Sequence, residues 1–170
     1  MDQLQSAWEY HIDTHTDPNG VPYDDEAHQQ AEARRNAEGW AAYEPVALLT
    51  ERLVISTESR LATLPGSVVQ ARWGSQLSAL TAATRALTVV RTTWDDEITA
   101  LPPDARPGNA AYDTVTAERD TAVWPLLEEW ALHGQAVLDI RAAAGTERTR
   151  MTTRAPAPPA TTRSSPTVRR

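Results

Sequence analysis

Between Ser67 and Leu101, the residues Trp73, Leu80, Leu87, Trp94 and Leu101 recur every seven positions, with Val69, Leu77, Ala83, Val90 and Ile98 on the same side. A period of seven keeps side chains on one face of an α-helix. The segment therefore reads as a single amphipathic helix of about 35 residues, roughly 50 Å long at 1.5 Å per residue. Ser67 with Gln70 three residues later has the form of a capping box at its start. Pro102-Pro103 stops it.

The remaining segments arrange themselves around this helix. After the Pro102–Gly108 loop a second long helix begins with Asn109 as N-cap and is predicted to end at Gly145 as a C′ glycine. Its apolar positions are Tyr112, Val115, Ala122, Leu126, Trp130, Val137 and Ile140, and Pro125 predicts a kink near Trp124 or two helices in tandem. Upstream, Asp24 to Leu64 is helical by pattern, with Val46, Leu49, Leu53, Leu61 and Leu64 on one face. Pro45 marks a kink or restart there, and Pro65-Gly66 turns the chain. Met1 to Ile12 makes a short helix with Leu4, Ala7, Trp8 and Ile12 on one side.

Three arms of similar length joined by short connections become antiparallel neighbours. The predicted fold is all-α: an antiparallel up-down-up helical bundle with long kinked helices over residues 24–145. A short N-terminal helix and turn-rich loop precede it over 1–23, and an Arg/Pro/Thr-rich tail follows over 146–170. No internal repeat of 20–50 residues is evident, and strand-like alternation is confined to residues 11–23.

Composition narrows the chemistry. Every one of the 16 basic residues is arginine, and cysteine and phenylalanine are absent. Lysine Schiff bases, thiol nucleophiles, disulfides, thiolate zinc sites and iron–sulfur clusters are therefore excluded. The six tryptophans and the leucines must fill a core otherwise lined by alanine. The net charge of −7 is unevenly spread: residues 146–170 carry six arginines and one acid, +5, which leaves −12 on residues 1–145. The tail has too few large apolar side chains to offset the entropy of ordering it, so it reads as disordered. No stretch approaches the roughly 20 apolar residues that span a bilayer. Met1 to Ile12 is acidic and lacks the form of a signal peptide, so a cytoplasmic protein without membrane contact is expected.

The densest polar cluster is His11-Ile12-Asp13-Thr14-His15-Thr16-Asp17. Extended, it would place His11, Asp13, His15 and Asp17 on one face, the donor types of a transition-metal site; helical, only His11 and His15 share a face. Asp17-x-Asn19-Gly20 with Glu26 resembles the EF-hand calcium loop over about twelve residues, with His15 at the first position and Pro22 at the eighth. Asp17-Pro18-Asn19-Gly20 is also a strong turn former, and Asp24 and Asp25 are suited to capping the next helix. No Glu-x-x-His pair of the di-iron bundle kind occurs, nor a nucleophile elbow, a Gly-rich phosphate loop or a His-Glu-x-x-His zinc motif. The acidic runs Asp24-Asp25-Glu26, Asp95-Asp96-Glu97 and Glu128-Glu129 read as solvated faces.

For nucleic acid, Leu61 to Val69 has a helix-turn-helix look through Ala62 and Gly66, but Arg72 and Ser75 stand where the second helix should bury apolar side chains. Six tail arginines, Arg148, Arg150, Arg154, Arg163, Arg169 and Arg170, offer non-specific, salt-sensitive phosphate contacts. The expectation is a non-catalytic accessory protein without a cofactor. It would work through helix-mediated protein–protein contacts or self-association, the heptad-spaced stripe being of coiled-coil type. The alternatives are a nucleic-acid accessory tethered by its tail and a metal-regulated module at residues 11–26.

Overall fold

A computed structural model of the chain describes residues 2–153. The first helix, α1 (Asp2–His15), runs one turn beyond Ile12 and enters a tight turn. The Asp17 carboxylate accepts from the Asn19 and Val21 amides at 2.8 Å each, and Gly20 takes a φ of +80° that a side chain would resist. A single antiparallel bridge between Thr16 and Pro22 closes this turn, and no strand is present among the described residues. Asp24 then caps α2 (Asp25–Tyr43) by accepting from the Ala27 amide at 3.0 Å.

Pro45 restarts the helix through a single 3-10 turn, Glu44–Val46, which leads into α3 (Ala47–Thr63). The long α4 (Ala71–Ala100) spans about 45 Å. It begins three residues later than the capping box predicts, with Gln70 rather than Ser67 as N-cap. Pro65 to Val68 forms a hydrogen-bonded turn, and Gln70 is an extended N-cap that makes no side-chain bond, so the Ser67–Gln70 box does not form. Asn109 caps α5 (Ala110–His133) as expected, accepting from the Ala111 amide at 3.0 Å.

Pro125 lies inside α5 without ending it. The break into α6 (Gln135–Thr153) falls instead at Gly134, where a Cβ would stand 2.6 Å from the Trp130 carbonyl oxygen. Nor does Gly145 end the last helix, because helical backbone continues through it to Thr153. The first eight residues of the segment read as tail are thus helical; positions 154–170 lie outside the described residues.

The three arms, α2–α3, α4 and α5–α6, form the all-α up-down-up bundle. The first and third run parallel, α2 beside α5 and α3 beside α6, with α4 antiparallel to both and packed chiefly along α5. Two apolar clusters fill it. Val54, Trp73, Leu77, Leu80, Ala136, Val137 and Ile140 pack at the α3–α6 end. Trp40, Tyr43, Ala47, Leu87, Val123 and Leu127 pack at the α2–α5 end, and Trp130 packs against both sets. Within the heptad stripe Trp73, Leu80 and Leu87 are buried, whereas Trp94 and Leu101, toward the helix end, are partly buried.

Many threonines in these helices donate their hydroxyl back one turn, although those of Thr84 and Thr116 find no partner among the described residues. The fully buried Thr57 bonds the Leu53 carbonyl at 2.7 Å, and Thr81, Thr99, Thr114 and Thr121 do likewise.

Helix α2 has little apolar side chain to offer and packs by close approach. A Cβ on Gly39 would meet Trp124 at 3.2 Å and Leu127 at 3.3 Å. Gly39→Leu is expected to destabilise the protein by about 1–3 kcal/mol in denaturant unfolding, from overpacking this seam. Gly74, inside α4 with open space around it, behaves in the opposite way. Gly74→Ala should stabilise by about 0.5–1 kcal/mol through helix propensity.

Candidate functional site

Helix geometry decides the fate of the His/Asp cluster. Because α1 continues through His15, the extended arrangement does not occur, and His11, Asp13, His15 and Asp17 do not converge. His11 and His15 share one face, stacked with ring centroids 4.5 Å apart, while Asp13 is exposed two residues round the helix and Asp17 is spent on its own turn. The amide of Val21, helped by that of Asn19, outweighs burial and holds the Asp17 carboxyl below its ordinary range. Among the described residues no group of three or more His, Asp or Glu side chains is arranged to hold a metal ion. The EF-hand-like stretch is the Asp-Pro-Asn-Gly turn followed by a helix N-cap.

What α1 builds instead is a groove against α2. Trp8, His11 and His15 stack along one face of α1, with Trp8 and His11 rings 5.4 Å apart and nearly parallel. From α2, His28 Nδ1 lies 3.3 Å from His11 Nε2, so one of those two rings must supply the proton and the other the lone pair. A cavity of about 300 Å³ opens beside these rings, lined also by Tyr10, Arg34, Arg35 and Glu38. Burial, and then the neighbouring His15 and His28, hold the His11 imidazole below the usual histidine range.

Arg35 ties this groove to the bundle. Its guanidinium lies between the rings of Trp8 on α1, at 4.0 Å, and Trp124 on α5, at 4.4 Å. Its Nε and one terminal nitrogen donate to the Asn36 carbonyl oxygen at 3.1 and 2.9 Å. Burial pushes this guanidinium down from its ordinary value, against the pull of Glu32 and Glu128, yet arginine stays charged at neutral pH. Trp124 is itself fixed by donating to Glu128 at 2.8 Å.

The same device recurs on α5. Arg119 lies between Trp40 of α2, at 4.4 Å, and Trp94 of α4, at 4.5 Å, and donates through Nε and a terminal nitrogen to the Asp120 carboxylate. Each arginine thus stacks on the other helix's tryptophan, and each outer ring comes from the helix that precedes in the chain, α1 before α2 and α4 before α5. Asn36 and Asp120, 4% and 6% exposed, face each other across a small polar cleft with Ala33 and Ala117.

Sequence reading missed this arrangement, although its signal is present. Ala33-Arg34-Arg35-Asn36 with Trp40 and Ala117-Glu118-Arg119-Asp120 with Trp124 share the pattern Ala-x-Arg-Asn/Asp-x-x-x-Trp, offset by 119 − 35 = 84 residues. That offset lies well beyond the 20–50-residue periods of helical repeats.

The other sequence candidates are dispersed. Arg148 and Arg150 stand exposed on α6, Arg150 paired with Glu147 at 3.0 Å; Arg154, Arg163, Arg169 and Arg170 lie outside the described residues. Asp95, Asp96 and Glu97 are all exposed, and His133 pairs with Glu129 on its own helix at 3.4 Å. Compared with known proteins, the chain matches no family model, no curated protein and no solved structure.

The depressed His11 value gives stability a pH dependence of definite sign. A histidine that binds protons less readily when folded favours the folded state above the unfolded imidazole pKa, near 6.5, and loses that contribution as pH falls below it. Thermal unfolding should therefore shift downward between about pH 7.5 and pH 5.5, and His11→Gln should flatten this slope. An unchanged slope in His11→Gln would assign it to other groups.

Proposed function

We propose that this chain is a non-catalytic, cytoplasmic accessory protein that binds a protein partner, or a second copy of itself, through the outer face of α3. The observation that carries the reading is the exposure of Leu48, Leu49 and Ile55, 72%, 60% and 55% exposed on two successive turns of that helix. Val46 is exposed at their N-terminal edge. Sequence patterning puts Val46 and Leu49 on one face with Leu53, Leu61 and Leu64; those three pack against the core, whereas the burial of Ala47, Val54 and Thr57 leaves Val46 and Leu49 facing outward.

Single exposed leucines need no explanation, whereas a cluster on one helix face is the usual mark of an interaction surface. Internal packing accounts for the tryptophans, four of which clasp the two arginines, so the hydrophobic material left for a partner is aliphatic. No helix among the described residues is long and apolar enough to cross a membrane.

Sedimentation across the micromolar range tests the self-association arm, and affinity capture with the full chain as bait tests the partner arm. Leu48→Glu with Ile55→Glu should abolish association or capture while leaving helicity and unfolding temperature essentially unchanged, as surface substitutions do. A monomer at every concentration, together with no capture sensitive to this double substitution, would refute the proposal.

A further inference from the structure

The α1–α2 groove concentrates positive charge in the most acidic part of the protein. Residues 1–50 contain ten acidic side chains and only two arginines, Arg34 and Arg35, which are adjacent and both line the groove. Three of the four histidines are gathered there as well, His11 and His15 on its wall and His28 behind His11. Arg34 is exposed and forms no ion pair among the described residues. Arg35 is held rigid by its two tryptophans and by Asn36 and Glu32, leaving its other terminal nitrogen unengaged.

We propose that this groove is a binding site for an acidic group, a carboxylate or a phosphate, that loads as its histidines take up protons. The reading is independent of the α3 surface. Guanidinium groups and imidazolium N–H groups are the donors that recognise oxyanions, and a charge-assisted bond is about twice as strong as a neutral one. The volume, about 300 Å³, admits a phosphate or a carboxylate with the first few atoms that carry it. The stacked Trp8, His11 and His15 rings line the groove beside these donors.

The charged and titratable groups that line the groove or touch its lining, among the described residues, enter the balance. From α1 these are His11, His15 and Tyr10; from α2 they are His28, Arg34, Arg35, Glu32 and Glu38; from α5, Glu128 reaches Arg35. Among the described residues Glu38 is the one carboxylate lining the cavity, and Glu32 is occupied by Arg35 at 3.4 Å. In the empty groove each proton added to the three histidines repels its neighbours, because the rings are only 4.5–5.3 Å apart. An anion in the groove reverses that sign, favouring the charged imidazoles. Binding therefore takes up protons and must tighten as pH falls through the histidine range.

Calorimetric titration of the full chain with inorganic phosphate and with citrate, at low salt and at about pH 6 and about pH 8, tests this. Binding of at least one probe is expected, about fivefold or more tighter at the lower pH when affinity is referred to the same ionised form of the probe at both pH values. Whichever probe binds more tightly names the source of the anion. Arg34→Gln and His15→Gln both replace exposed side chains, so circular dichroism should show them folded. Each should weaken binding about fivefold or more by removing a charge-assisted contact, whereas Arg85→Gln on α4 should not. No binding of either probe at either pH, equal affinity at the two pH values, or equal loss in Arg85→Gln would each overturn the proposal.

Discussion

Two arginines sandwiched between tryptophans hold together a seam that has too little apolar surface to close by itself. Helix α2 buries only Asn36, Gly39, Trp40 and Tyr43. An alanine- and glutamate-rich helix of this kind would gain little from hydrophobic burial alone. Arg35 and Arg119 supply the missing adhesion, each presenting a desolvated guanidinium to two indole faces, an interaction worth about 0.5–2 kcal/mol per contact depending on burial. The neighbouring Asn36 and Asp120 side-chain oxygens each accept from two of the guanidinium nitrogens. The exchange is reciprocal, each helix's arginine meeting the other's tryptophan, which gives α2 and α5 a local two-fold relation of the kind seen where like surfaces meet.

This seam divides the molecule into two kinds of interior. At the α3–α6 end the packing is ordinary apolar core, centred on Leu80 and Ile140, both fully buried. At the α2–α5 end the core is shared between leucines and cation–aromatic stacks, and the peripheral α1 is docked through one of them, Trp8 on Arg35. The stack that closes the seam therefore also positions the histidine groove, since Arg35 is at once the filling of the Trp8–Trp124 sandwich and part of the groove's lining. Aliphatic side chains not needed for packing are left outside on α3.

Much of the architecture was legible in the sequence because periodicity and punctuation are local. The heptad stripe identified α4, Asn109 and Asp24 marked helix starts, Pro45 marked a restart, and the Asp-Pro-Asn-Gly turn formed where its residues demand one. Errors arose at helix ends and where tertiary contacts decide. The Ser67 box gave way to the turn after Pro65. Gly145, surrounded by open space, had no reason to end a helix, whereas Gly134, pressed against the Trp130 carbonyl, did mark a break. Leu49 fitted an apolar stripe but was turned outward by the burial of Ala47, Val54 and Thr57. The histidine groove was half visible, as His11 and His15 on one helical face; His28 and Arg35 join it only through the hairpin. The Arg–Trp pairs were invisible to hydrophobic patterning because each tryptophan's partner is a charged arginine from another helix, and their repeat spans 84 residues, 119 − 35.

The most direct test of the seam is a pair of double-mutant cycles in denaturant unfolding, Arg35→Met with Trp124→Leu and Arg119→Met with Trp40→Leu. If reciprocal stacking holds α2 to α5, each pair should show a coupling energy of about 1 kcal/mol or more. Additivity within about 0.3 kcal/mol in both cycles would mean that the rings and guanidiniums merely adjoin, and would contradict the account.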